Sequence, residues 1–320
     1  MKLSVFSPVF GNMPLKDALE YLAQKGVDGM ELGAGGYPGK AHADIIELKN
    51  SAKKRDELKA LFDDHGVEIA ALSVHGNGVH PQKQIAKIAS DELDAAIEVA
   101  PKLGVKKIIT FSGCPGDGKG DMPNWVTCAW PNEYAQVLEY QWNDVLVPYW
   151  TEKAKRAADN GVEICFEMHP GFCVYNPETL LKLRAAAGKS LGANLDPSHL
   201  LWQGIDPVAA IKALGEALFW FHAKDTAVDK YNTAVNGVLD TKPYSNERER
   251  SWIFRTVGYG SDEKLWKDIV SALRAIGYDG YLSIEHEDSL MTQTEGLDKA
   301  IEFMQKVMIR APRTNALWWV

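Results

Sequence analysis

Two segments of the chain end in residues that are out of place in a core. Glu163 to Pro170 reads EICFEMHP and Leu191 to His199 reads LGANLDPSH. Each opens as an apolar run of strand length, and each is interrupted by Pro. Yet they finish in Glu167 and His169, and in Asp196 and His199. A carboxylate or imidazole at the end of a buried strand is costly unless something pairs with it. A metal ion is one partner that several such groups can share. Two further apolar runs, Ala217–Lys224 (ALFWFHAK) and Tyr281–His286 (YLSIEH), carry His222 and Glu285 near their ends. Glu167, Asp196, His222 and Glu285 together make a hard, oxygen-rich donor set. It suits one divalent ion, Mn²⁺ first, with Mg²⁺, Co²⁺ or Zn²⁺ as alternatives. Such an ion leaves positions open for substrate oxygens, polarises a carbonyl and stabilises an enediolate. Glu167 and Glu285, on opposite sides of it, could remove and return a proton.

Other residues fit around this set. His169 lies two positions after Glu167, so an extended strand points both to the same side; it is a second candidate acid/base group. His199, His75, Lys224 and Arg255 are candidate substrate-binding residues, and Trp125, Trp130 and Trp202 candidate stacking surfaces for a sugar. Each has a plainer reading. A Glu at a strand end is ordinarily a solvated loop residue, a His in an apolar strand a satisfied core residue, and a Trp packing. Four successive strands each ending in a metal-type ligand is a joint pattern those readings do not explain.

The elements that must position these residues alternate strand and helix. Apolar runs at 2–10, 28–34, 68–75, 106–113, 163–169, 191–196, 217–224 and 281–286 are separated by segments of helical spacing. The latter include 14–25, with Leu15, Ala18, Leu19 and Leu22 on one face, and 177–187, with Asn176 at the N-cap and Pro177 at the first position. Eight such units predict a closed (β/α)₈ barrel of parallel strands, a TIM barrel, spanning 1–320 as one domain. In such a barrel the C-terminal ends of the strands converge on one face, where residues distant in sequence meet. A turn-rich insertion covers 114–132 after the fourth strand, and a long polar loop covers 225–260 after the seventh. An open doubly wound sheet would want a Gly-rich phosphate loop after the first strand, which Val9–Met13 does not supply.

Composition narrows the partners. The chain has 320 residues, 46% of them hydrophobic, and a net charge of −8. That acidic balance argues against a nucleic-acid partner, which calls for a basic footprint. No apolar run reaches the ~20 residues of a membrane helix, and no signal-peptide pattern opens the chain. Four cysteines without a paired framework fit a cytoplasmic protein with reduced thiols. The apolar end Trp318-Trp319-Val320 could serve a homo-oligomer, or a complex with a small partner subunit, or tuck against the barrel.

EICFEMHP, ANLDPSH, FHAKD and GYDGYLSIEHED, with the strand order around them, resemble the xylose isomerase-like TIM barrels. That group holds sugar phosphate isomerases and epimerases and also endonuclease IV. The resemblance implies metal binding by Glu167, Asp196, His222 and Glu285, with the two glutamates as acid/base pair and His199 touching substrate. An arginine that epimerases of the group carry beyond the metal-binding His has Val228 near its place here. The Glu167-x-His169-Pro170 pattern, the Cys- and Trp-bearing insertion and WIFRTVGYG (252–260) resemble a subgroup with large subunits of C-glycoside deglycosidases and with lyases or hydratases of 3-keto-glycosides. There the His after the first Glu is the implied base. The expected activity is therefore metal-dependent isomerisation or epimerisation of a ketose or keto-sugar. The alternative is elimination from, or hydration of, a keto-glycoside at the same site. A DNA-repair endonuclease is the distant alternative, for which eight histidines and an acidic charge are poor support.

Overall fold

The computed structural model describes residues 1–312 and 319. Trp318 and Val320, and with them most of the apolar C-terminal end, lie outside the described residues. Eight strands form a closed barrel: β1 (Lys2–Phe6), β2 (Gly29–Gly33), β3 (Glu68–Ser73), β4 (Lys107–Thr110), β5 (Glu163–Glu167), β6 (Leu191–Leu195), β7 (Leu218–Ala223) and β10 (Tyr281–Ile284). Neighbouring strands are parallel throughout, and β10 closes the ring between β7 and β1. This is the expected (β/α)₈ barrel.

Period-two alternation decides which side chains face inward. Leu3, Val5, Met30, Leu32, Leu72, Ile164, Phe166, Ala193, Leu195, Phe221, Leu282 and Ile284 share one apolar cluster with helix residues such as Leu19, Leu22, Phe62, Ile97 and Trp266. That cluster is the layer between sheet and helices. The intervening positions include Glu31, Ser73, Cys165, Asn194, Trp220, His222 and Ser283, all essentially unexposed. Glu167 follows Cys165 by two, Asp196 follows Asn194 by two, and Glu285 follows Ser283 by two. The same alternation that buries leucines outward therefore sends the ligand candidates inward.

The helices start and stop where local chemistry allows. Asn176 caps α7 (Pro177–Ala187), and a reciprocal bond to Thr179 completes a capping box. α3 (Ala52–His65) ends on Gly66, whose φ of 65° is the left-handed conformation a glycine adopts without strain. The helical stretch between β4 and β5 contains a π-helical turn, Gln141–Leu146, just before Pro148. There the buried Gln141 amide donates to the carbonyls of Pro115, Gly116 and Asn124 and so pins the insertion.

The stretch read as a long polar loop, 225–260, is largely built. It holds β8 (Asp225–Val228) and β9 (Trp252–Arg255), an antiparallel pair, with α10 (Lys230–Asn236) between them. Two four-residue strands so far apart in sequence carry too little periodicity to be recognised. What holds them is tertiary. Asp225 accepts from the backbone N–H of Gly258, Gly260 and Ser261 and from Trp266 Nε1. Trp252 stacks on Trp202 at 4.7 Å and 4°.

Candidate active site

Glu167 is the last residue of β5, Asp196 and Glu285 sit one residue past β6 and β10, and His222 is the fifth residue of β7. Each offers a donor atom, and the four atoms lie within 4.8 Å of one another. The strands that carry them are neighbours in the barrel, in the order β5, β6, β7, β10. All four side chains are buried or nearly so, with Glu285 reaching a cavity above.

Several of these atoms have no partner. Asp196 accepts from Ser198 N through one oxygen at 2.7 Å, capping the short helix α8 (Pro197–Trp202). Its Oδ2 bonds to nothing. His222 Nδ1 and Glu285 Oε2 are 2.8 Å apart but misaligned, and both count as buried atoms without a hydrogen bond. A buried polar atom left unpaired is expensive, and here the unpaired atoms converge. The electrostatics agree. Burial pushes the Asp196 carboxyl well above its usual range, with the Glu285 and Glu167 carboxylates adding to this and Lys224 partly offsetting it. His222 is raised well above an ordinary imidazole. Burial opposes this, but Glu31 and Glu285 outweigh it. The centre is thus short of positive charge and takes up a proton or a cation. Three carboxylates and an imidazole fit a divalent ion.

The tautomer of His222 is set from behind. Its Nε2 donates to both oxygens of Glu31, at 3.0 and 2.9 Å. Glu31 also accepts from Ser73 Oγ, from Trp220 Nε1 at 2.9 Å and from Ser283 Oγ at 2.7 Å. With the proton on Nε2, the Nδ1 lone pair is left for the ligand cluster. Burial would raise the Glu31 carboxyl, yet His222 and the hydroxyl donors hold it below its usual value. Sequence reasoning missed Glu31. The available signal was a lone acid inside an otherwise apolar strand, DGMELGA.

The other predicted residues separate into those brought to the centre and those not. His75 Nε2 lies 2.9 Å from Glu167 Oε2 and lines the cavity. His199 Nε2 is 3.2 Å from Glu167 Oε1 and 3.4 Å from Asp196 Oδ2, with neither ring nitrogen hydrogen-bonded. Burial, with repulsion from His169, pushes His199 down to about 3, so it is neutral. His199 does not line the cavity. His169 packs on it at 4.0 Å between ring centroids and does line the cavity. Its Nδ1 faces the Pro170 carbonyl, which leaves Nε2 free to accept a proton. Burial keeps its pKa below that of an ordinary imidazole, despite the Glu167 carboxylate. Lys224 reaches Glu285 at 3.0 Å and Glu287 at 2.9 Å. Arg255 departs from the expectation: its Nε pairs with Asp288 at 3.1 Å and it is absent from the cavity wall. Its position on β9, opposite Asp225, turns it to the side of the hairpin that Asp288 anchors. The three tryptophans also miss the cavity, because Trp202 stacks on Trp252, Trp125 packs edge-on against Tyr175, and Trp130 is exposed.

The cavity above the ligand cluster measures about 560 Å³. Glu167, His169, Lys224 and Glu285 form its polar floor, while aromatic and aliphatic residues form much of its walls.

The Bacillus subtilis protein YfiH is 39% identical over 312 residues, which cover 96% of this chain and 99% of YfiH. Among solved structures, 3-keto-D-glucoside 4-epimerase YcjR from E. coli aligns with a TM-score of 0.66 at 13% identity, covering 96% of this chain and 99% of that one. The IolI protein, solved with a zinc atom, aligns with a TM-score of 0.66 at 21% identity, covering 96% and 98%. At such identities the structural likenesses speak for the fold. Residues 19–307 match the family described as Xylose isomerase-like TIM barrel, and the chain belongs to it.

Proposed function

We propose that this chain is a divalent-metal-dependent isomerase or epimerase of a ketose or keto-sugar, acting by proton abstraction next to a carbonyl. The observation that carries the reading is the convergence of unpaired buried atoms from Asp196, His222 and Glu285, with Glu167, beneath an open cavity. Glu167, Asp196, His222 and Glu285 would hold the ion, Mn²⁺ being the best match to an oxygen-rich set. When bound it supplies Lewis-acid polarisation of the substrate carbonyl. Glu285, 3.0 Å from Lys224, is a carboxylate at the cavity floor placed to take a proton and return it. Glu167 is the second such group, oriented by His75. Free, buried Cys114, Cys165 and Cys173 suit a cytoplasmic location.

One observation favours a second reading. His169 offers Nε2 at the cavity wall beside Glu167, which is the arrangement a separate base for elimination from a keto-glycoside would need. His169→Ala separates the two. Loss of about 10²–10⁴-fold in kcat identifies the imidazole as the base, and an unchanged kcat leaves the work to the glutamates. The overall reading is tested by metal analysis of the purified protein, followed by an activity screen of ketoses, sugar phosphates and keto-glycosides. A protein that binds no stoichiometric divalent metal would refute it.

A further inference from the structure

Two imidazoles beside the ligand cluster carry more unbonded nitrogen than packing explains. His199 is 1% exposed, and neither of its ring nitrogens is hydrogen-bonded. Its Nε2 faces two carboxylate oxygens, Glu167 Oε1 at 3.2 Å and Asp196 Oδ2 at 3.4 Å, and the latter is itself unpartnered. The His169 ring lies beside it with centroids 4.0 Å apart, but the planes are tilted by 52°, so the pair is not stacked face to face. The Nδ1 proton of His169 is directed to the Pro170 carbonyl, which leaves an Nε2 lone pair. Glu167, His169 and His199 each offer one donor atom, and those three atoms lie within 4.8 Å of one another. Burying unpaired nitrogens is unfavourable, and a cation held by all three groups would remove that penalty.

Glu167 is placed to serve this group and the first one together. Its Oε1 turns toward His199, whereas its Oε2 turns toward His75 at 2.9 Å and His222 Nδ1 at 3.7 Å. The two donor sets differ in kind. Glu167, Asp196, His222 and Glu285 give three carboxylates and one imidazole, while Glu167, His169 and His199 give one carboxylate and two imidazoles. Two imidazoles and a carboxylate are the donors of a three-ligand zinc centre, which keeps a coordination position for water. Such a nitrogen-rich set favours Zn²⁺ or Co²⁺ over Mn²⁺. His169 also lines the cavity and so connects this group to the substrate space. Resting on the metal centre under Proposed function, we infer that Glu167, His169 and His199 form a second divalent-cation site, of zinc type, joined to the first through the Glu167 carboxylate. Water on an ion there would lose a proton near neutral pH, which provides a base beside the cavity.

The test loads the metal-free full chain with Zn²⁺ or with Mn²⁺, removes unbound ion and counts what stays by elemental analysis. About two equivalents of Zn²⁺ and about one of Mn²⁺ are expected. His169→Ala and His199→Ala should each lower the Zn²⁺ count to about one and leave the Mn²⁺ count at about one. His199 is buried, so its variant is first compared with the parent by circular dichroism. If it does not fold, His169→Ala, at the cavity wall, decides the matter. A Zn²⁺ count of about one in the parent overturns the inference and leaves the proposed activity standing. A count of about two that His169→Ala does not change also overturns it, because the second ion then lies elsewhere and His169 is free to act as a base. A parent that retains neither ion fails this inference and the proposed activity together.

Discussion

The two halves of the barrel mouth do different work. The arc β5, β6, β7, β10 supplies Glu167, Asp196, His222 and Glu285, whose free atoms point at one another. The arc β1 to β4 supplies no member of that cluster. It supplies the groups that hold the cluster in place: Glu31 on β2 behind His222, and His75 just past β3 behind Glu167. Phe6, at the end of β1, packs on both imidazoles at 5.7 and 5.5 Å. A cluster of like charges cannot choose its own geometry, since each carboxylate repels the next. For His222 and Glu167 that orientation comes from hydrogen-bond partners on the opposite side of the barrel.

The sharpest break of this division lies in the first arc. Glu285→Gln removes a proton acceptor and a ligand charge, and kcat should fall by about 10²–10⁴-fold with the circular dichroism spectrum unchanged. Retained turnover would take Glu285 out of the chemistry. Glu31→Gln tests the second arc. An amide cannot accept from His222, Trp220, Ser73 and Ser283 together, so Mn²⁺ affinity measured by calorimetry should drop about 10–100-fold. Thermal and urea unfolding should show a loss of about 1–3 kcal/mol. Affinity equal to the parent's would mean that Glu31 is only packing. His75→Ala leaves Glu167 its approach to His199 and should cost about tenfold in Mn²⁺ affinity, the low end for such a support. The smallest effect belongs to Arg255→Ala. Because Arg255 does not itself line the cavity and is spent on Asp288, KM should change by about twofold at most, the scale of a lost partly exposed ion pair. A large rise in KM would restore it to the substrate site.

Much of this was legible from residue order. Strand–helix alternation announced the barrel, while which residues face in became visible only with the strands in register. Glu167, Asp196, His222 and Glu285 stood out because acids and an imidazole closed apolar strands. Glu31 did not, because one acid inside a buried strand has a common plain explanation, and its four partners are scattered over three other strands. The β8–β9 pair escaped for the same reason, and with it the aromatic wall. Tyr244 and Phe254 are ordinary loop aromatics until their stacking is seen.

What the sequence determined by itself was the set of barrel elements and the chemical type of the centre, since periodicity and residue type are local properties. Only the tertiary structure decided which donors are satisfied and which are left open. Hydrogen-bond partnership depends on register around a closed ring, and a shift of one residue would turn each ligand to the outer face. It likewise decided that Arg255 is spent on Asp288, that Lys224 is paired with Glu285 and Glu287, and that aromatic residues line the cavity. Those facts arise from contacts between segments tens to hundreds of residues apart.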